Sequence, residues 1–433
     1  MEGYVEKIKS LIPYSGFGKC SLKGIFVIID GLGDVPCRLL NGMTPLEAAE
    51  TPNLDFFATR GQLGYMYPVK QGFIPESDEA LLSIFGNDIS LSSRGQLEAR
   101  GIGLKLTRGD LAFRVNFATV VSETGEIHDR RAGRTLSTSE AEALADSIRK
   151  IKMPFPFEFV PTKQHNAVLV FRGGFSEDIT GNDATYIQGK TNIHDKIRRF
   201  KPLDDTENSQ YTCNVLNEFI ERVHELLENH PINMERMRKG LLPANYLLLR
   251  GPGIEMPKLK LYRKWVSAAY TPLEVGFSKV SGMETLNFDY PKLTDFDSYS
   301  NSYEALRRAC KFAMNIIRSY SRKHEYVYLH IKETDLPGHD NKPIEKKLML
   351  EYLDSTIFYF LRKFVPPNGI KLVVTGDHST PCKNKGHSAN PVPVLFYNNS
   401  LIRERGFSEK EARRGSLGKI MGKELLEKVG FVK

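Results

Sequence analysis

The stretch Gly24-Ile-Phe-Val-Ile-Ile-Asp30 is a short, β-branched, apolar run that ends on an aspartate. Two other stretches share the pattern, YVYLHIKETD from Tyr326 to Asp335 and KLVVTGD from Lys371 to Asp377. Near-continuous apolar runs of this length read as strands buried on both faces, the signature of a parallel α/β sheet. Ligands of such sheets sit beyond the carboxyl ends of the strands. Three acids at three strand ends therefore converge on one crevice.

Helices with legible starts lie between these runs. Thr44-Pro45 and Thr51-Pro52 each place a threonine N-cap before a proline at the first helical position, with Gly61 expected to stop the second helix. Glu345 to Phe364 has helical apolar spacing and ends before Pro366-Pro367. The middle of the chain reads differently. Strands are expected from Phe113 to Val121, from His165 to Gly174, and from Asn245 to Arg250. Ser139-Glu140-Ala141-Glu142 reads as a capping box opening a helix to about Ile151, and a long amphipathic helix runs from about Thr206 to His230. The expected fold class is α/β, a mostly parallel sheet flanked by helices with a smaller α+β domain inserted. Residues 1–110 and 256–433 would form the first domain, and 111–255 the insertion.

Composition excludes several classes. The chain has 433 residues, 41% hydrophobic and 26% charged, which is ordinary globular usage. No run approaches the ~18 uncharged apolar residues of a membrane span. The opening residues, MEGYVEKIKSLIPYSG, lack the apolar core of a secretory signal. Five cysteines without a CxxC pair speak against a disulfide scaffold or zinc ribbon and for a reducing, cytoplasmic setting. The net charge of +8 is dispersed, so its denser stretches read first as solvated faces, then as a site for a small anion, and last as a nucleic-acid surface; neither nucleic acid nor a membrane is the expected partner.

The chemistry lies at the strand ends. Asp335-Leu-Pro-Gly-His339 follows one strand, Asp377-His378 follows another, and His387 lies nine residues further on. Mixed carboxylate and imidazole sets suit zinc, manganese, iron or cobalt better than calcium. With Asp30 these are six candidate ligands, more than one ion needs, and paired ions are usual in phosphoryl chemistry. Ser77, in Pro75-Glu-Ser77-Asp78, stands where a helix begins. Its simplest role is N-cap. The same place also offers unpaired N–H groups and a positive dipole end for phosphate, and a serine held to a metal can attack phosphorus.

These motifs occur in a telling order: Asp30-Gly31, TPLEAAETPNLD at 44–55, ESDEALLSIFG at 76–86, HIKETDLPGHD at 330–340 and DHSTPCKNKGHS at 377–388. Together they resemble the archaeal-type cofactor-independent (2,3-bisphosphoglycerate-independent) phosphoglycerate mutases of the alkaline phosphatase superfamily. By that resemblance Asp30, Ser77, Asp377 and His378 form one metal site, with Ser77 the phosphorylated nucleophile. Asp335, His339 and His387 form the other. The resemblance implies two divalent ions (manganese, zinc, cobalt or magnesium) and no 2,3-bisphosphoglycerate. It implies interconversion of 3-phosphoglycerate and 2-phosphoglycerate, in glycolysis and gluconeogenesis.

In the middle segment FRVNFATV at 113–120 and Asp129-Arg-Arg-Ala-Gly-Arg134 also look like that family. So do Phe171-Arg172-Gly173 and Leu249-Arg250-Gly251-Pro252-Gly253. By that resemblance Asp129 is the candidate proton carrier, and Arg130, Arg131, Arg134, Arg172 and Arg250 are the candidate substrate clamp. Arginine suits such a clamp because it grips carboxylate and phosphate bidentately. The chain departs from the pattern at Gly86-Asn-Asp-Ile89 and at Tyr290–Asp297. It also departs at Pro272-Leu-Glu-Val-Gly276, where a lysine is expected before the glycine. That departure keeps open a metal-dependent phosphomonoesterase, or a phosphomutase for another small metabolite. A regulatory or nucleic-acid protein on a retired enzyme fold would need decayed ligands, and all seven positions are filled.

Overall fold

The computed structural model describes residues 20–183, 196–286, 288, 290–292, 297–400 and 405–432. Part of the altered stretch at 290–297 thus lies outside the described residues. The main sheet contains β1 (Gly24–Ile29), β2 (Gly61–Tyr67), β8 (Trp265–Ala268), β9 (Glu284–Thr285), β10 (Tyr326–Ile331), β11 (Lys371–Thr375), β12 (Val392–Tyr397) and β13 (Gly418–Met421). Its order is β13-β2-β12-β11-β1-β10-β8-β9. β12 runs antiparallel to both neighbours, and the other pairings are parallel.

Alternation within the deciding strand explains the layers. Ile25, Val27 and Ile29 join Leu329 and Val374 in one core with the helices Ser298–Tyr320 and Pro343–Leu353. Phe26 and Ile28 join Tyr328 and Val373 in the opposite core, with the helices Ser77–Ile84 and Pro272–Val280. Every residue of β1 is buried, so both faces of the strand had to be apolar.

The second sheet is antiparallel and lies between 111 and 253. It holds β3 (Leu111–Val121), β4 (Glu126–Asp129), β5 (Phe157–Pro161), β6 (Asn166–Phe171) and β7 (Tyr246–Gly253), in the order β4-β3-β6-β5 with β7 pairing β3. The helices Thr138–Ile148 and Glu207–Glu228 cover one face. On the other face Ala112, Val168 and Val170 meet Ala99 of the helix Arg94–Gly101. That short helix joins the two sheets, because it also lies against the helix Pro272–Val280. A side chain at Gly276 would overlap the Leu97 carbonyl.

Four local readings differ from the structure. The capping box at the Thr138 helix uses Ser137 with Glu140, two residues earlier than the Ser139 box. Gly61 begins β2 instead of ending the preceding helix, which closes at Thr59. The N-cap of the Ser77 helix is Glu76, and Ser77 is its first helical residue. The long helix expected over 345–364 is interrupted by a π-helical turn at Asp354–Phe358. The interruption has a visible partner: the Asp354 carboxylate accepts hydrogen bonds from the N–H groups of Asn53 (3.1 Å) and Leu54 (2.8 Å). It thereby caps the helix Pro52–Ala58, where the Thr51 side chain makes no cap bond.

Candidate metal centre and nucleophile

Strand register assembles the centre. Ile28 of β1 pairs with His330 of β10 and with Thr375 of β11. Two residues on, Asp30 therefore lies level with Lys332 on one side and Asp377 on the other. Asp335 and His339 are the first and last residues of a short helix after β10, on successive turns of one face. His378 and His387 come from the loop after β11. Gly31 turns the chain at φ +63°, and a Cβ there would crowd the Asp335 carboxylate and the Thr380 hydroxyl.

Among the described residues, three groups of donor atoms lie close enough to share a cation: Asp335, His339 and His387; Asp30, Asp335 and His378; and Asp30, His330 and Asp377. His339 Nε2 is 3.2 Å from Asp335 Oδ2, and His387 Nε2 is 4.0 Å from Asp335 Oδ1. His378 Nε2 lies 3.2 Å from Asp30 Oδ1, 3.4 Å from Asp377 Oδ2 and 3.3 Å from Ser77 Oγ. The structure thus brings together Asp30, Ser77, Asp335, His339, Asp377, His378 and His387. Sequence reading missed His330, whose only signal was a histidine within an apolar strand at the level of Ile28.

The donor set fits cations. Asp30 Oδ1, Asp377 Oδ2 and His330 Nε2 are buried and make no hydrogen bond, and such groups are costly to bury unless something pairs with them. The remaining atoms are held in place from behind. Asp377 Oδ1 accepts the N–H groups of Gly31 and His378, Thr380 donates to Asp335, and the Tyr328 hydroxyl meets His330 Nδ1. Electrostatics reports the crowding. Burial, then the Asp377 carboxylate, pushes the Asp30 carboxyl well above its ordinary range. Burial acts the same way on Asp377 and Asp335, but the neighbouring imidazoles outweigh it and draw both carboxyls down. Burial lowers His378 and His387, which keeps their imidazoles neutral near pH 7 and able to ligate.

Lys332 is a second residue the sequence reading missed. Its ammonium pairs with Asp30 and, at 2.8 Å, with Glu274. Glu274 belongs to the stretch that lacks the expected lysine, so the cation near that stretch comes from the residue that follows β10.

The candidate clamp is spread more widely. Arg134, at a left-handed turn, reaches across to Asp340 beside His339, with 2.5 Å between nitrogen and oxygen. Arg131 acts electrostatically on the same Asp340, and Arg250 on β7 helps lower the Glu76 carboxyl. Arg130 pairs with Asp183 at 3.1 Å. Arg172 is held by Asp110 and Glu158, at the far end of β6 from the centre. The Asp129 carboxylate accepts the N–H groups of Arg131 (2.6 Å) and Gly133 (3.1 Å), ordering the turn that carries Arg134.

With this geometry in hand, similarity to known proteins is informative. Residues 58–233 match the family model described as 2,3-bisphosphoglycerate-independent phosphoglycerate mutase. A protein so named from Thermococcus kodakarensis is 40% identical over 413 residues, covering 93% of this chain and 95% of its own. One from Archaeoglobus fulgidus is 38% identical over 416 residues, covering 93% and 96%. Among solved structures, a Pyrococcus horikoshii protein superposes with a TM-score of 0.72 at 30% identity, covering 96% of this chain and 99% of its own. A cofactor-independent phosphoglycerate mutase from Thermoplasma acidophilum gives 0.56 at 28%, covering 95% and 99%. The chain belongs to the 2,3-bisphosphoglycerate-independent phosphoglycerate mutase family.

Proposed function

We propose that this chain interconverts 3-phosphoglycerate and 2-phosphoglycerate through a phosphoserine at Ser77. The observation that carries the reading is the position of Ser77 Oγ. It lies 3.3 Å from His378 Nε2, at the head of an eight-residue helix, against the convergent carboxylates and imidazoles. Asp30, Ser77, Asp377 and His378 would hold one divalent ion and Asp335, His339 and His387 the other. Manganese, zinc, cobalt and magnesium are the candidate ions. Bound there, the ions supply charge stabilisation for the transferring phosphoryl group and acidify the hydroxyls.

The chain's own residues do the rest. The hydroxyl of Ser77 loses its proton, and Oγ attacks phosphorus. The bond from phosphorus to the substrate C3 oxygen breaks, and that oxygen takes a proton. The head of the Ser77 helix would offer the phosphoryl oxygens its positive dipole end and the N–H groups that Glu76 leaves free. Arg131, Arg134 and Arg250 retain the glycerate while it turns, and Arg130 supports them from its pair with Asp183. Arg172, already engaged by two carboxylates, has the smallest part in the clamp. Asp129 is the proton carrier for the glycerate hydroxyls and also orders the Arg134 turn. The C2 oxygen then attacks the phosphoserine, losing its proton, and Ser77 regains one. Residues 111–255 act as the lid that keeps water from the phosphoserine.

An enolase-coupled assay tests this. Metal-loaded protein given 3-phosphoglycerate, without added 2,3-bisphosphoglycerate, should generate phosphoenolpyruvate, and chelation should stop it. Release of inorganic phosphate alone would make the chain a phosphomonoesterase.

A further inference from the structure

The turn between β5 and β6 carries two polar groups that the mechanism above leaves unused. Gln164 sits at φ +52°, and the turn is closed by a hydrogen bond from Asn166 N–H to Lys163 O at 2.9 Å. This conformation carries Lys163 out of the second sheet and onto the main one. Its ammonium lies over the ring of Tyr290, 4.1 Å from the centroid. Tyr290 stacks on Tyr270, and the hydroxyls of both donate to Glu333, two residues from Asp335.

Lys163 has no carboxylate within ion-pairing distance among the described residues. Burial draws its ammonium below the ordinary lysine range, and the charges that act on it are Glu333, Lys332, Glu274 and Asp30, all of the main sheet's carboxyl end. Two residues on, His165 is 7% exposed, and its Nδ1 makes no hydrogen bond. Burial and the nearby Arg131, Lys163 and Arg250 keep that imidazole neutral. A half-buried ammonium with no carboxylate at ion-pairing distance, beside a buried imidazole whose Nδ1 makes no hydrogen bond and near the guanidinium groups of Arg131 and Arg250, is a place suited to an anion.

We propose that Lys163 is a substrate-contacting residue whose ammonium pairs with the phosphoryl group of the bound phosphoester. The assignment rests on the proposed mutase reading and deepens it. Lys163 sits over Tyr290, whose hydroxyl donates to Glu333, and Asp30 and Lys332 of the metal centre are among the charges that act on it, so its ammonium faces the phosphoryl end. The second sheet then contributes directly to phosphoryl recognition as well as closing over it.

Binding separates this role from a mere latch between the layers. Metal-loaded protein is titrated calorimetrically with inorganic phosphate and, separately, with D-glycerate; neither turns over. Lys163→Met keeps the apolar stem on Tyr290 and removes the charge. It should weaken phosphate binding by about 10-fold or more, leave glycerate binding unchanged, and be rescued by Lys163→Arg. Equal loss for both ligands would make Lys163 a latch and overturn the assignment. So would unchanged phosphate affinity, or a wild type that binds no phosphate. Loss of glycerate binding alone would place Lys163 at the other end of the substrate and also overturn it. A wild type that binds phosphate yet fails the enolase-coupled assay would instead defeat the mutase reading, and the phosphate titration would still decide the role of Lys163.

Discussion

Because Glu76 occupies the N-cap, the Ser77 hydroxyl carries no local capping duty, and it meets His378 Nε2 instead. The acids and histidines of the centre were legible one by one, since each follows an apolar run or a glycine-punctuated loop. His330, Lys332 and Lys163 were not, because their significance comes from register and from a turn conformation that no local pattern encodes. Glu409 illustrates a residue whose behaviour only the fold reveals. It borders a cavity lined by Thr44, Tyr65 and Phe407, and accepts hydrogen bonds from Asp34 N–H (3.1 Å) and the Thr44 hydroxyl (2.7 Å). Burial raises its carboxyl to about 7. An unfolded glutamic acid titrates near about 4.3, so between these values the folded chain holds a proton that the unfolded chain has lost. Stability from this group is therefore complete below about pH 4.3 and is lost as pH rises through 7. Melting temperature from pH 5 to 7.5 should fall less steeply for Glu409→Gln than for wild type. Parallel profiles would contradict the shift.

At the scale of elements, the strands were the most legible feature. β1, β10 and β11 are buried on nearly every residue, and such runs have few alternatives. Helix ends were less so. The cap of the helix Pro52–Ala58 comes from Asp354, about 300 positions away, and the same residue opens the π-helical turn that splits the later helix. A local reading assigns that duty to Thr51, because the Thr-Pro pair is a good start signal and the true acceptor is remote. Asp354→Ala should cost about 2–3 kcal/mol in denaturant unfolding, more than an ordinary cap, since the buried Asn53 side chain also loses its bond to the carboxylate. Catalytic rates of the folded variant should stay near wild type. A loss under about 0.5 kcal/mol would show that Thr51 or water can replace the carboxylate.

At the scale of the whole molecule, the two sheets meet where charge crosses between them, at Arg134 with Asp340 and at Lys163 over Tyr290. The arginines of the second sheet lie far in sequence from every candidate ligand, so their grouping was invisible to spacing and entered only through the resemblance. No helix among the described residues is long and apolar enough to cross a membrane. If Arg134 retains glycerate during its turn, Arg134→Ala should slow return transfer about 10-fold or more while phosphorylation of Ser77 suffers less. Phosphate release and 2-phosphoglycerate formation, followed side by side, should then show a raised ratio of hydrolysis to isomerisation. A proportional fall in both would confine Arg134 to binding. The most direct measurement is to quench the metal-loaded enzyme during turnover of 3-phosphoglycerate and map the phosphorylated peptide by mass spectrometry. The account predicts phosphate on Ser77 in wild type, and neither phosphopeptide nor 2-phosphoglycerate in Ser77→Ala. Formation of 2-phosphoglycerate by Ser77→Ala, or a phosphate on any other residue, would contradict it.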